Sequence, residues 1–239
     1  MKKEINKINR TVFRFWFVNT LIRGINKIFG FNSRSFFSQT GEDIIIKTLL
    51  DHKKNGFYIE VGCNQPITHS NTFDLYLNNG WNGICIDANV KLTNYFKKIR
   101  PLDHVVFAAI SNIEEEVSLY ISEESLVSTI HQEFRNEWKE DWALKSFETK
   151  IKTQKLDSII YELNFQNKEI DLLIIDVEGH DFQVLKSINL DEFKPKLIVI
   201  EIHSFQIEEF EISEIYIYLK SYNYKLVNFA TMNAYFMKL

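Results

Sequence analysis

The chain is poor in the residues that mark several protein classes. Cysteine occurs twice in 239 residues, at Cys63 and Cys85. Two thiols cannot build a disulfide framework and are too few for a zinc cluster, so a reducing, cytoplasmic setting is expected. Three prolines and eight glycines exclude collagen-like repeats, Pro-rich linkers and low-complexity disorder. No run approaches the ~18 apolar residues of a membrane span, and no internal repeat is visible. Aromatic residues, by contrast, are plentiful, with 20 Phe and 10 Tyr, unlike a disordered chain. The length suits one domain of ~150 residues or somewhat more, with a short appendage.

Charge is unevenly spread. The whole chain carries −4, yet residues 1–35 hold eight Lys and Arg against the single acid Glu4, which leaves the remainder strongly acidic. An acidic body argues against nucleic-acid binding, which needs cations for phosphates. Residues 1–37 therefore read as a separate basic arm. Within it, Phe13, Phe17, Leu21, Ile25 and Ile28 recur at helical spacing. Such a helix can lie in a lipid interface, with Arg14, Arg23 and Lys27 near the headgroups, or it can cover protein surface or a second copy in a homo-oligomer. It does not read as a secretory signal, because Arg14 breaks the apolar stretch.

From residue 38 to 239, short apolar runs alternate with helical patterns. FYIEV at 57–61, GICID at 83–87, HVVFAAI at 104–110, LLIID at 172–176 and KLIVIEI at 196–202 read as strands without a polar face, as strands covered on both sides do. Helices are expected from Thr40 (as a capping residue) to Leu50, from a Ser70 cap to Leu77, and over 90–100, 182–189 and 207–221. YKLVNFA and AYFMKL read as an antiparallel hairpin. The fold expected is an α/β, Rossmann-like, mostly parallel seven-stranded sheet with helices on both faces. Residues 111–170 are too long for a connection. They hold VSLYI, an aromatic stretch (Phe134, Trp138, Trp142) and a strand-to-helix unit from Ile151 to Leu163. They read as an insertion over the C-terminal edge of the sheet, where such folds bind ligands.

Two strand ends point to a nucleoside. The first closes in Glu60-Val-Gly62-Cys63-Asn64, and Gly62 permits a sharp turn close to a ligand. The second ends in Asp87, at the spacing where an acid accepts hydrogen bonds from ribose hydroxyls. The second and third glycines of the dinucleotide fingerprint are missing, so a pyrophosphate lacks its amide nest. S-adenosylmethionine fits, with ribose and adenine but an amino-acid tail in place of phosphates. Glu60 and Gly62 then frame that tail, and the backbone of 107–109 flanks adenine. The fourth strand ends in Asp176-Val-Glu178-Gly179-His180-Asp181 and the fifth in Glu201-Ile-His203. Neighbouring strands would bring Glu201 and His203 to face Asp176.

These segments, with SQTGED at 38–43, SNT at 70–72, GWNGICIDAN at 80–89 and IDLLIIDVEGHD at 170–181, resemble the FkbM family of methyltransferases. The resemblance runs from about Ser38 to the C-terminal hairpin. It implies a class I S-adenosylmethionine-dependent fold and methyl transfer to a hydroxyl, often of a sugar or glycoconjugate. Glu60, Cys63 and Asp87 stand where Asp, Ala and Glu are more usual. Gln39, Asn64, Asn71 and Ala108 join Glu60, Gly62, Asp87 and Asp176 as expected cofactor contacts.

The expected catalytic group is Asp176, Glu178 and His180. His180 is the natural base at an ordinary pKa of ~6.5, with Asp176 and Glu178 orienting it or taking the proton themselves. His52, His69, His104 and His131 read as structural, and His203 as intermediate. Asp176 and Glu201 offer hard oxygen ligands for Mg²⁺, which would acidify the acceptor hydroxyl. An NAD-linked enzyme is disfavoured by the missing glycines. A non-catalytic adaptor docked on a membrane assembly through the arm is disfavoured by the retained acids at 60, 87, 176 and 178.

Overall fold

The computed structural model describes residues 17, 18, 20–22, 24, 25, 36–122, 128–136, 146–203 and 211–239. Trp138, Trp142, most of the basic arm and the start of the 207–221 stretch lie outside them. Among the described residues from 36 onward the chain forms eleven strands and seven helices. In chain order they are α1 (Glu42–Leu49), β1 (Phe57–Val61), α2 (Phe73–Asn79), β2 (Asn82–Asp87), α3 (Val90–Ile99), β3 (His104–Phe107), β4 (Ala109–Ile110), β5 (Glu116–Ser122), β6 (Ser128–Thr129), α4 (Gln132–Asn136), β7 (Ser146–Gln154), α5 (Leu156–Glu162), β8 (Leu172–Ile175), α6 (Asp181–Leu185), β9 (Leu197–Glu201), α7 (Glu214–Ser221), β10 (Tyr224–Ala230) and β11 (Asn233–Lys238).

Seven strands form one sheet in the order β10-β11-β9-β8-β1-β2-β3. The pairs from β9 through β3 are parallel, and β11 runs antiparallel to both β9 and β10. Strands β1, β8 and β9 are buried along their whole length, which is why their sequences show no polar face. Their two faces feed two separate apolar clusters. Ile59, Ile84, Leu173 and Ile198 go to one; Tyr58, Cys85, Leu172 and Val199 go to the other. Because parallel strands end at the same edge, the residues following β1, β2, β8 and β9 meet there.

The run 104–110 does not form one strand. His104–Phe107 joins the main sheet beside β2, Ala108 breaks the run, and Ala109–Ile110 pairs with β7 in a second sheet of order β4-β7-β5-β6. That sheet holds the VSLYI strand expected within 111–170. Two helix starts also differ from expectation. Gly41, not Thr40, occupies the cap of α1 at φ 95°, while Thr40 donates to the Glu42 carboxylate. Thr72 precedes α2, and Ser70 Oγ accepts from the Phe73 N–H at 3.1 Å. Gly80 ends α2 in the left-handed conformation, as its place after the helical run requires.

Candidate active site

One cavity of about 500 Å³ opens at the C-terminal edge of the parallel strands. Gln39, Glu60, Gly62, Asn64, Asn71, Asp87, Ala108, Asp176, Glu178, His180 and Glu201 all line it. Residues from β1, β2, β8 and β9 thus share a wall with Ser128 and Thr129 of the second sheet, Ile130 just after them, and Thr231 to Asn233 of the hairpin turn. Among the described residues, six carboxylates line the cavity (Glu42, Glu60, Asp87, Asp176, Glu178 and Glu201), together with three histidines and no Lys or Arg.

The β1 side is built on a buried polar chain. Glu60 Oε2 accepts from the Thr72 hydroxyl at 2.6 Å, and Thr72 Oγ1 accepts from Arg100 Nη2 at 2.9 Å. Arg100 is fully buried and pairs with Asp103 at 2.7 Å. Burial pushes the Glu60 carboxyl up to about 7, against the pull of Arg100. Nothing in the local sequence marks Arg100, which ends a helix ordinarily. Gly62 sits at φ 83°, and a Cβ there would lie 1.7 Å from the backbone oxygen of Asp176. The glycine is therefore required by the packing of β1 against the end of β8, and its approach to a ligand is secondary.

Asp87 accepts from the Asn64 N–H at 2.9 Å and from the Asn89 N–H at 2.7 Å. It holds the loops after β1 and β2 together, lines the cavity, and keeps a further lone pair on each oxygen. Burial raises its pKa to about 6. The Asn64 side-chain oxygen is buried without a hydrogen-bond partner.

The β8 side is strained and acidic. Glu178 lies at φ 54°, and Gly179 at φ 94°. Asp181 holds this turn by accepting from the Val177 N–H at 3.0 Å and the Gly179 N–H at 3.1 Å. A left-handed conformation costs a non-glycine residue of order 1–3 kcal/mol and clusters at functional sites. Burial, then the neighbouring Glu201 charge, pushes Glu178 up to about 7. Burial and Glu201 also raise Asp176 well above the carboxylate range. Glu201 and Asp176 do face one another, as the strand order suggests, and His203 Nε2 lies 2.8 Å from Glu201 Oε2. That last contact is an ion pair without hydrogen-bond geometry, and neither atom has a hydrogen-bond partner.

His180 differs from its expected part. One ring nitrogen lies 2.9 Å from His131 Nε2 and the other 2.9 Å from the Ser111 hydroxyl. Burial, then the proximity of His131, lowers its pKa to about 4. A neutral imidazole with both nitrogens engaged is a bridge between the β8 loop and the second sheet, and a weak base. His131, read from sequence as structural, is thereby part of the site. Thr129 adds a second tie, donating to the Glu178 carbonyl at 3.0 Å. The signals for both residues are contacts 49 positions apart, invisible to local pattern.

The Mg²⁺ expectation on Asp176 and Glu201 does not match the donors present. Among the described residues the close group is Glu178, Glu201 and His203, with ligand atoms within 4.8 Å of one another. Asp176 is outside it. Mg²⁺ selects oxygen donors and near-octahedral geometry, which an imidazole paired to a carboxylate does not supply.

The sequence profile of the Methyltransferase FkbM domain matches residues 60–226. The chain belongs to this family. Methyl transfer is its activity, and the family implies S-adenosylmethionine as the donor. No curated protein matches the chain. A solved TehB-like SAM-dependent methyltransferase from Corynebacterium glutamicum aligns over 92% of this chain and 97% of its own, with 14% identity and a TM-score of 0.42. The FkbM match begins at Glu60 within β1 and ends at Leu226 within β10, so it includes β2, β3, β8 and β9 whole. The residues fit the cofactor: an unpartnered Asn64 oxygen and the acids Glu60 and Asp87 line one end of a cavity whose described residues include no Lys or Arg.

Proposed function

We propose that this chain transfers a methyl group from S-adenosylmethionine to a hydroxyl of a sugar or glycoconjugate. The observation that carries this reading is the cavity wall: among the described residues it holds six carboxylates and no Lys or Arg, with Glu60 and Asp87 at the β1/β2 ends, Asp176, Glu178 and Glu201 at the β8/β9 ends, and Glu42 on α1. A pyrophosphate cofactor would meet like charge there, whereas a sulfonium and an ammonium are attracted. Glu60, Gly62, Asn64 and Asp87 hold the cofactor, with Gln39, Asn71 and Ala108 beside it. Bound S-adenosylmethionine supplies an electrophilic methyl group on a sulfonium.

The protein then has two tasks, alignment and proton removal. Asp176 and Glu201 accept hydrogen bonds from the acceptor. Glu178 takes the hydroxyl proton at its carboxylate: burial places its pKa close to neutrality, where a base is both unprotonated and strong enough to matter. His180, tied to His131 and Ser111, fixes the position of the Glu178 turn. The reaction takes place on the cytoplasmic side, where the donor is made available.

Thermal unfolding with S-adenosylmethionine, S-adenosylhomocysteine or NAD tests the cofactor. Stabilisation by the first two and none by NAD is expected. Asp87→Asn removes a charge-assisted hydrogen bond of about 1.5–3 kcal/mol, so calorimetry should show at least tenfold weaker cofactor binding. Unchanged affinity in a folded variant rejects the ribose assignment. Mass spectrometry of cell glycans with and without the gene should show one lost methyl group.

A further inference from the structure

We propose that the end of the cavity formed by Glu201, His203 and Asn233 binds a hydroxyl-rich acceptor without negative charge, and rejects acceptors bearing a carboxylate or phosphate beside the methylated hydroxyl. This rests on the methyl-transfer reading and narrows its substrate class.

The first ground is hydrogen bonding. Glu201 Oε2 and His203 Nε2 lie 2.8 Å apart as an ion pair without hydrogen-bond geometry, and the Asn233 side-chain oxygen is buried and lacks a hydrogen-bond partner among the described residues. All three residues line the cavity. Strand register explains their meeting: Asn233 opens β11 directly opposite Glu201 at the end of β9. Buried polar atoms are almost always paired in a working protein, so the Asn233 oxygen, and the lone pairs that Glu201 does not turn toward His203, await donors from a ligand. Both groups present oxygens that only accept. Neighbouring hydroxyls on a sugar ring both donate and accept, and so match this set. A carboxylate or phosphate only accepts, and would leave the oxygens unpaired.

The second ground is charge, and it is independent of the first. Asp176, Glu178 and Glu201 face the same volume, and among the described residues the cavity wall contains no Lys or Arg. Lys186 is the cation near His180, and it is not part of the wall. Recognition of an anionic sugar uses Arg forks or lysines, which the described residues at this end of the cavity do not provide. A like charge brought against buried carboxylates discriminates strongly against the wrong partner.

Saturation-transfer NMR on the full chain, with S-adenosylhomocysteine present, tests the proposal. The probes are matched pairs of methyl hexosides and methyl hexuronides in the gluco, galacto and manno series, which differ only in the carboxylate. At least one neutral member should bind, and its uronide should bind at least tenfold more weakly. Asn233→Ala and Glu201→Gln should each weaken the neutral sugar at least fivefold while S-adenosylhomocysteine still raises the melting temperature. A uronide that binds as well as its neutral partner overturns the inference, as does a neutral panel with no binder. Both results leave the methyl-transfer reading standing if S-adenosylhomocysteine binds; failure of that ligand to bind removes the reading itself. The paired measurement on the wild type decides the matter even if a variant fails to fold.

Discussion

Glu178 sits in a left-handed turn with its carboxylate among other acids, and this gives it a measurable signature. Its pKa of about 7 comes first from burial and then from Glu201. As the base it must be unprotonated, so kcat/KM should rise with pH through about 7. Glu178→Gln should lower turnover by ~10²–10⁴, the usual worth of a general base, with cofactor affinity nearly unchanged. His180→Ala, which cuts a bridge and leaves the base in place, should affect turnover less and leave the pH midpoint where it is. A reversed order of the two effects, read from initial rates with a methylated acceptor, would return the proton to His180. The acids themselves were legible in the sequence, because Asp176, Glu178 and Glu201 close apolar strands where charge is costly. Their division of labour was not, because burial and neighbours set a pKa and neither is visible in one strand. His131 shows the same limit: its role is a contact to a residue 49 positions away.

At the scale of elements, the β8–α6 turn and the helix α4, which lies between β6 and β7 of the second sheet, form one unit. A Cβ on Gly179 would meet the Phe134 ring at 2.2 Å, and that ring stands edge-on to His203, with centroids 4.7 Å apart. The glycine thus lets the second sheet close over the catalytic turn. Gly179→Ala adds both a clash and left-handed strain, and overpacking of this kind costs about 1–3 kcal/mol. Denaturant unfolding should show that loss, and Phe134→Ala in the same chain should recover part of it; strictly additive losses would mean the contact does not matter. The sheet strands were legible from their unbroken apolar runs. The division of 104–110 was not, because Ala108 looks like any apolar residue and only the pairing partners differ on its two sides.

For the whole molecule, the acid-rich cavity sets an unusual dependence of stability on pH. Glu60, Glu178 and Asp181 are each raised to about 7, chiefly by burial, and Asp87 to about 6. Their unfolded values are near 4.5 and 3.8, so the folded protein retains protons that the unfolded chain has released. This stabilisation is fully present below the unfolded values and is lost as pH rises through 6 to 7. His203, raised by Glu201, acts in the same direction. His180, lowered to about 4, opposes it, but only up to its unfolded value of 6.5. The ligand-free protein should therefore melt lower at pH 8 than at pH 6, and S-adenosylmethionine should narrow the gap. A melting temperature that rises from pH 6 to pH 8 contradicts these protonation states.

Charge asymmetry over the whole chain bears on where the enzyme works. Eight Lys and Arg precede residue 36, while the rest of the chain is acidic. No described helix is long and apolar enough to cross a membrane. The described residues of the arm are helical, and Phe17, Val18, Leu21, Ile22 and Ile25 are 45–54% exposed. Exposed apolar groups beside a cluster of cations match an anionic lipid surface, where each basic group is worth ~1 kcal/mol and the apolar face enters the headgroup boundary. We propose that the arm holds the enzyme reversibly on such a surface, close to lipid-linked glycans. Co-sedimentation with vesicles of phosphatidylcholine and phosphatidylglycerol should show binding that weakens as salt rises, and vesicles of phosphatidylcholine alone should bind little. Leu21→Asp with Ile25→Asp should abolish binding and leave the melting temperature unchanged, because both side chains are exposed. If that variant instead shifts the protein from dimer to monomer while the wild type ignores the vesicles, the apolar face pairs with a second copy and the lipid assignment fails.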